Sequence, residues 1–453
     1  MSLLVIDVGT SGLRAAVVRP DASIAADQHR ELLPSSPEAG LVEFDPAEMA
    51  TLALEVARAV LAEGGPVEAV GITNQRASTI VWDRATGEPV GPGIGWQDLR
   101  TVGTCLVLQA DGIRVAPNAS ATKAAWLLDA ADPERTRDLC IGTVDSWLTW
   151  HLSEGAVHVS DATNAGVTGL MRGDGTDWDD RILEPLRIPR AALPTVVDSS
   201  GIVAQATALV GAPPIAALIG DQQSSLVGQG GVRRGLAKIT FGTGGMLDLH
   251  LGEERPRFDR QGDGGCFPIA AWRRGGVTAW GVEAIMLSAG TNVEWLRDDL
   301  GIIASAAESH DVASRCETTD GVVYVPALLG FGTPRWDYGA RGTLLGLTRG
   351  TERGGLLHRR HLHRSLGRVG EGLDEGGVVR HPAVDAQGGD REAGVGLGRL
   401  DQVGPALGHA LEHRPHDLRT LAAAGEAEQR AARAVVPARG AEAEQGRDVG
   451  DAL

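Results

Sequence analysis

The stretch Leu3-Leu4-Val5-Ile6-Asp7-Val8-Gly9-Thr10-Ser11 is a short apolar run that ends in a carboxylate, a glycine and two hydroxyls. A second apolar run, Arg14–Val18, follows, then the turn residues Arg19-Pro20-Asp21 and an alternating segment. This reads as strand, glycine-containing turn, strand, turn, strand. The same grammar returns downstream. Ala237–Phe241 is a strand ending in Gly242-Thr243-Gly244-Gly245, and Leu247–Leu251 continues as the next strand. Two such units far apart in one chain predict a coarse internal duplication, with two similar α/β lobes facing a cleft.

The intervening chain supplies further elements. Asp45-Pro46 offers an N-cap carboxylate and a proline at the first helical position, and apolar residues at helical spacing then run to about Ala62. Val67–Ile72 reads as a strand with Asn74-Gln75-Arg76 at its end, and Ile80–Trp82 with Asp83–Gly87 as a hairpin. Thr122–Leu128 and Ser146–Leu152 read as helical. Ile215–Ile219 is a strand ending in Gly220-Asp221-Gln222-Gln223, followed by a helix-like stretch, and Trp280–Leu300 reads as one long helix.

With 453 residues the chain has room for two to three domains, and 43% hydrophobic content is enough for large cores. Forty-two Lys and Arg against 59 Asp and Glu give a net charge of −17. That excludes duplex nucleic acid or an anionic membrane as the main partner, because phosphate-backbone binding needs a basic face. A small anionic ligand held by a few local donors remains compatible. No run approaches the length of a membrane span, and the N-terminus lacks the basic region of a signal peptide. Cys105, Cys140, Cys266 and Cys316 lie far apart without a CxxC pair, so neither a zinc site nor a disulfide scaffold is expected. The chain is expected to be soluble and cytoplasmic, with homo-oligomerisation left open.

Composition changes abruptly near Gly354. Every aromatic residue lies before position 339, and from Gly354 onward there is no Ile, Met, Lys, Asn or Cys, while seven of the 12 histidines gather there. Three readings compete for residues 354–453: a His-rich metal segment, a disordered extension, and an out-of-frame translation of GC-rich DNA. Against the first, His358, His361 and His363 sit among arginines without carboxylate or thiolate partners; the third best explains the abrupt change, since GC-rich DNA read out of frame yields this vocabulary. All three predict poor core packing, because few large side chains are available to offset ordering entropy.

Transfer of a phosphoryl group to an alcohol needs backbone N–H groups around the phosphates and a Mg²⁺ held near a carboxylate. It also needs a second carboxylate to accept the hydroxyl proton. Asp7 at a strand end, with Gly9, Thr10, Ser11 and Arg14, supplies one such turn, and Gly242-Thr243-Gly244-Gly245 a second. Asp221, ending an apolar strand before two glutamines, suits a base or a capping acid. Each feature alone is as compatible with an ordinary structural turn. Their joint occurrence, order and spacing carry the signal.

The chain resembles the FGGY carbohydrate kinases, most closely their glycerol kinase branch. The matching segments are Asp7–Ser11 with Arg14, Gly71–Arg76, Trp96-Gln97-Asp98 with Arg100-Thr101, Ser120–Lys123 through Trp126–Leu128, and Gly142–Leu148. They continue with Gly220–Gln223, Phe241–Gly244, Glu294–Asp298 and Ala340–Thr343. The resemblance covers about residues 1–353. It implies an α/β, two-domain actin-like fold with an interdomain cleft: an N-terminal polyol and phosphate-loop domain over 1–232, and a partial C-terminal nucleotide domain over 233–353. It implies ATP and Mg²⁺ as co-substrate and cofactor, and a small polyol or sugar as substrate. Asp221 matches the catalytic base. Arg76, Trp96, Gln222 and Met246 match substrate-contacting positions. Thr10, Ser11, Arg14, Gly242, Thr243, Gly290 and Glu294 match the nucleotide and phosphate side, and Asp7 the metal position. Asp7 and Asp221 are then expected to project from opposing lobes into one crevice.

The departures are specific. Ala77 stands where the glycerol kinases carry Glu, Asn118 where they carry Tyr, Met246 where they carry Phe, and Glu294 where they carry Gln. With Ala77 one hydroxyl acceptor is missing, and losing a buried hydrogen-bond partner costs about 1–3 kcal/mol unless another group replaces it. The resemblance therefore implies ATP-dependent phosphorylation of a primary hydroxyl, glycerol first. A xylulose-type ketose, or a catalytically silent chain, stands as the alternative. Gly376-Gly377 and Gly388-Gly389 lack the following Asn of the family's adenine turn, so that role is not carried over.

Overall fold

The computed structural model describes residues 2–357, apart from Ala39, Thr243, 257–265, Asp320, 334–335 and Tyr338, together with Ala393–Gly394. The three readings of residues 354–453 otherwise fall outside the described residues. The opening stretch forms β1 (Leu3–Val8), with Leu4, Ile6 and Val8 buried at alternate positions. Alternation of this kind puts one face of a strand in the core. β2 (Gly12–Val18) returns antiparallel, with Val8 opposite Leu13 and Asp7 opposite Arg14, and β3 (Ile24–Glu31) continues the meander.

On the other side of β1 lies β4 (Ala69–Asn74), parallel to it. Beyond it are β5 (Ser200–Gln205) and β6 (Pro214–Gly220), with β6 parallel to β4, giving the order β5-β6-β4-β1-β2-β3. Helix α1 (Pro46–Gly64) covers this sheet. Its N-cap Asp45 accepts the N–H groups of Ala47 and Glu48, and Met49, Ala53, Val56, Ala57 and Val60 form its buried stripe. These residues join Leu4, Ile6, Ile72, Trp82 and Trp147 in one core. Each large apolar side chain so enclosed contributes about 1.5–3 kcal/mol.

Helices α2 (Ser120–Ala131) and α3 (Val144–Leu152) form where helical spacing predicts them. Ile80–Asp83 differs in part. The Asp83–Gly87 turn closes as a hairpin would, but the strand takes Leu139–Gly142 as its antiparallel partner. The short helix α4 (Ala162–Gly166) packs against β6, and α5 (Asp221–Gly228) begins directly where β6 ends.

The second sheet is built from β7 (Ala237–Phe241), β8 (Gly245–Gly252), β9 (Phe267–Arg274), β10 (Val277–Met286) and β11 (Ala393–Gly394). Their order is β9-β10-β8-β7-β11, and every pairing among the described residues is antiparallel. The predicted helix over Trp280–Leu300 is corrected here. Its first part is strand β10, and helix resumes only at α6 (Gly290–Glu294). The β-branched residues Val277, Thr278, Val282 and Ile285 fit a pleated surface between two partners better than a helix. Ser288-Ala289-Gly290 then breaks the run. The last described helix, α7 (Arg353–Leu357), spans the point where composition changes, and Leu357 packs with Leu296, Ile303 and Val312.

Candidate active site

Two glycine turns face the site. In the first, the N–H of Gly9 donates to Gly12 O at 2.9 Å, closing the β1–β2 hairpin. Gln75 ties the turn to the end of β4: its backbone N–H reaches Val8 O at 2.7 Å and its amide nitrogen Gly9 O at 3.1 Å. Thr10 Oγ1 accepts the indole N–H of Trp96 at 3.2 Å, so the predicted polyol wall and the predicted phosphate turn touch each other. Ser11 is exposed, and Arg14, paired with Asp27 at 2.9 Å on the surface of β2 and β3, shares a strand rung with Asp7.

In the second turn, the N–H of Gly242 donates to Gly244 O at 2.9 Å, and Gly290, heading α6, donates its N–H to Gly242 O at 2.8 Å. Thr243 lies outside the described residues. Met246 stands half-buried on β8 one step from this turn, and Glu294 is exposed at the far end of α6.

Asp221 and Arg76 meet because β4 and β6 are neighbours whose last residues, Asn74 and Gly220, lie opposite each other. Arg76 Nε is 3.4 Å from Asp221 Oδ1, which also accepts the N–H of Gln222 at 2.7 Å. Gly220 permits the approach, since a Cβ there would fall 2.6 Å from Arg76 Cδ. Asp7 belongs to the same sheet. Asp7 pairs with Thr73, and Thr73 with Ile219, so the two acids sit at the same strand ends, two strands apart. Asp221 lies two residues beyond the level of Asp7, and two strands across with two residues along separates their backbones by about 12 Å. The expectation that they project from opposing lobes is therefore corrected. A parallel order brings them together on one sheet.

The opposing lobe supplies something else. Glu283 on β10, 1% exposed, accepts Arg76 Nη1 at 2.6 Å and Nη2 at 2.9 Å. Lys238 on β7 and Asp248 on β8, both fully buried, lie 2.9 Å apart, and Lys238 Nζ also donates to Gln222 Oε1 and to Thr240 Oγ1. Burial pushes the Asp221 carboxyl upward, against the pull of Arg76 and Lys238. Burial, reinforced by Glu283, pushes Asp248 up to about 7. Burial also opposes the charge on Arg76, but Glu283 and Asp221 more than offset it, so its pKa rises.

Sequence reading passed over Lys238, Asp248 and Glu283. The signal was a single charge inside each of three largely apolar strands, and for Glu283 it was hidden by the helical reading of its segment. Trp96 is fixed from behind: its carbonyl accepts Lys123 Nζ at 3.0 Å and Asn118 Nδ2 at 3.2 Å. Ala77 is buried with φ at 61°, its carbonyl accepting the Ser120 hydroxyl at 3.1 Å, so a tight turn rather than a carboxylate follows Arg76. Among the described residues no three His, Cys, Asp or Glu side chains converge as a metal cage.

Comparison with known proteins fits this geometry. The N-terminal domain of the FGGY family of carbohydrate kinases matches residues 2–228, and its C-terminal domain matches 237–363. The glycerol kinase of Gloeobacter violaceus is 41% identical over 366 residues, covering 78% of this chain and 73% of that protein. That of Alkalilimnicola ehrlichii is 42% identical over 373 residues, covering 78% and 74%. Among solved structures, Plasmodium falciparum glycerol kinase with ADP superposes with a TM-score of 0.72 at 27% identity, covering 81% of this chain and 76% of that one. A ligand-bound xylulose kinase from Lactobacillus acidophilus reaches 0.70 at 18% identity over 81% and 76%, a likeness of fold. The two sheets, their hairpin turns and the polar seam between them are thus those of a two-domain actin-like kinase, and the chain belongs to the FGGY family of carbohydrate kinases.

Proposed function

We propose that this chain transfers the γ-phosphoryl group of ATP to a primary hydroxyl of a small polyol, with glycerol as the substrate. The observation that carries the reading is the convergence of Arg76 and Asp221 at the seam of the two sheets, in a chain 41% identical to a glycerol kinase. Asp221 accepts the hydroxyl proton as the oxygen attacks phosphorus. Its raised pKa, caused by burial, makes it a better proton acceptor than a surface aspartate. Glu283 holds one N–H of each terminal nitrogen of Arg76, and the second N–H of Nη2, beside Nε and Asp221, donates to a substrate hydroxyl; the Trp96 ring covers the carbon face, and Gln222 and Met246 complete the walls.

Thr10 and Ser11 on the first turn and Arg14 on β2, with Gly242, Thr243, Gly290 and Glu294 on the second lobe, bind the nucleotide and its phosphates. Asp7 would hold Mg²⁺, since a single carboxylate at a strand end suits an ion that keeps most of its hydration shell. When bound, that ion neutralises charge on the β- and γ-phosphate oxygens. In this reading residues 1–232 form the polyol half and 233–353 the nucleotide half.

A second reading is motivated by Ala77, which leaves the pocket without the carboxylate that the glycerol kinases place there. It makes a ketose such as xylulose the substrate. A panel of glycerol, xylulose and related polyols in a coupled ADP-release assay decides. Glycerol giving the highest kcat/KM supports the first reading, and a ketose exceeding it transfers the assignment to the second. No turnover on any of them would sink both.

A further inference from the structure

Lys238, Asp248 and Glu283 occupy one rung of the second sheet. Asp248 pairs with Lys238 across β7 and β8 and with Glu283 across β8 and β10. Cross-strand partners share a face, and this face meets α5 and the end of β4. Each end of the rung terminates on a residue of the proposed site: Lys238 on Gln222 and Glu283 on Arg76. Three charges buried in strands are costly unless paired, so the pairs they make ask for a reason beyond packing.

The reason lies in what Arg76 would do alone. A guanidinium is a planar fork that fits a carboxylate through two parallel hydrogen bonds. Asp221 is the nearest carboxylate on its own lobe, at 3.4 Å. A fork-to-fork pair between them would occupy both oxygens of the base and lower its affinity for a proton. Instead both terminal nitrogens of Arg76 are taken by Glu283, at 2.6 and 2.9 Å, and only the Nε edge faces Asp221. Asp221 Oδ1 is thereby engaged by Gln222 and Arg76, while Oδ2 accepts from none of the described side chains or amides.

We propose that Glu283 is a positioning residue that draws the Arg76 guanidinium off Asp221, leaving the base one oxygen for the substrate hydroxyl. Lys238 and Asp248 brace it: Asp248 stands between Glu283 and the Lys238 ammonium, and Lys238 in turn fixes the Gln222 amide. Because Arg76 comes from the first sheet and Glu283 from the second, the base is freed only when the two lobes are in contact. The inference rests on the reading of Asp221 as the base, and its test separates the two.

The test uses the full chain and Glu283→Gln. Glycerol binding is measured by calorimetry without nucleotide, and kcat/KM for glycerol is followed against pH by ADP release. The other charged groups around the base, Arg76, Lys238 and Asp248, keep their side chains, but Asp248 titrates lower once Glu283 is neutral. With Glu283 neutral, Arg76 closes on Asp221. Glycerol affinity is expected to fall about tenfold, and the acid limb of the profile to move down by about one pH unit, as a closer cation lowers a carboxyl. Loss of the Glu283 charge lowers that limb even if Arg76 stays in place, so the shift supports the proposal only together with the loss of affinity. Wild-type affinity, or an acid limb that stays in place, overturns the proposal. If Glu283→Gln does not fold, Glu283→Asp, which keeps the charge but withdraws it by one methylene, is read in the same way, with smaller shifts in the same directions expected. A wild-type chain that neither binds glycerol nor releases ADP removes the functional reading itself, whatever the variants do.

Discussion

Lys123 is fully buried, and its ammonium donates to the carbonyls of Trp96 at 3.0 Å and Asn118 at 3.1 Å. Burial lowers its pKa to about 7, against the pull of Asp98, while an unfolded lysine titrates near ~10.4. Between those values the folded chain binds fewer protons than the unfolded one, so this residue makes stability rise with pH there, by about 1.4 kcal/mol per unit. In Lys123→Met that contribution vanishes. Urea unfolding at pH 7.5 and pH 9.5 should show a smaller gain in the variant than in the parent, and equal gains would show that the lysine is not held as described. Gly220 gives a second prediction. A Cβ at this position would meet Arg76 Cδ at 2.6 Å and Gln223 Oε1 at 2.8 Å, and Arg76 is tied to Glu283 and cannot yield freely. Overpacking of this kind costs about 1–3 kcal/mol. Gly220→Ala is therefore expected to weaken glycerol binding about tenfold or more by calorimetry; unchanged binding would mean that Arg76 has room to move.

At the scale of elements, the five-residue helix α4 holds both loops that carry the site. Its N-cap, Asp161, accepts the N–H and hydroxyl of Thr163, the N–H and amide of Asn164, and the Ser199 hydroxyl at 2.6 Å. Thr163 Oγ1 then accepts the N–H of Gly220 at 2.8 Å, and Asn164 Oδ1 the amide of Asn74 at 3.0 Å, fixing the last residues of β6 and β4. Asp161→Ala should lower the unfolding free energy by about 3 kcal/mol or more, because several buried donors lose their acceptor together. Asp161→Asn should lose less, and a thermal melt of Asp161→Ala within a degree or two of the parent would contradict this account. How far the sequence could be read depends on whether the information is local. Asp45-Pro46, the Asp7–Ser11 turn and Gly220-Asp221 declare themselves by capping and turn chemistry. Glu283 does not. Its place beside Arg76 follows from a strand pairing and from the meeting of two sheets, neither of which periodicity within Trp280–Leu300 contains. For the same reason Asp7 was expected opposite Asp221 rather than beside it: parallel pairing through β4 is a property of strand order.

At the scale of the whole molecule, the chain spans 73–74% of the length of the two glycerol kinases described above, and the family match ends at residue 363. The sequence beyond carries no aromatic residue and no isoleucine, and it lacks the Gly-Gly turn with Asn that the resemblance places over adenine and ribose. The residues of the proposed polyol site, Arg76, Trp96, Asp221, Gln222 and Glu283, all lie before it. Calorimetry should accordingly find ATP binding weaker than micromolar while glycerol still binds. Micromolar ATP affinity would show that the chain supplies a nucleotide closure by other residues. Translating the other two frames of the coding DNA downstream of codon 354 should reveal an apolar helix and a Gly-Gly-x-x-x-Asn turn. Their absence from both frames would dismiss the lost-frame origin of the tail.

The central claim is that Asp221 takes the proton of a polyol hydroxyl as that oxygen receives a phosphoryl group. It is tested most directly by glycerol-dependent ADP release at millimolar ATP and Mg²⁺, comparing the parent chain with Asp221→Asn. The account predicts turnover in the parent and a loss of two or more orders of magnitude in kcat in the variant, with glycerol affinity by calorimetry changed little, since the base acts in transfer rather than in holding. Equal turnover in the two proteins, or a parent that releases no ADP in response to glycerol or any other polyol, would contradict it.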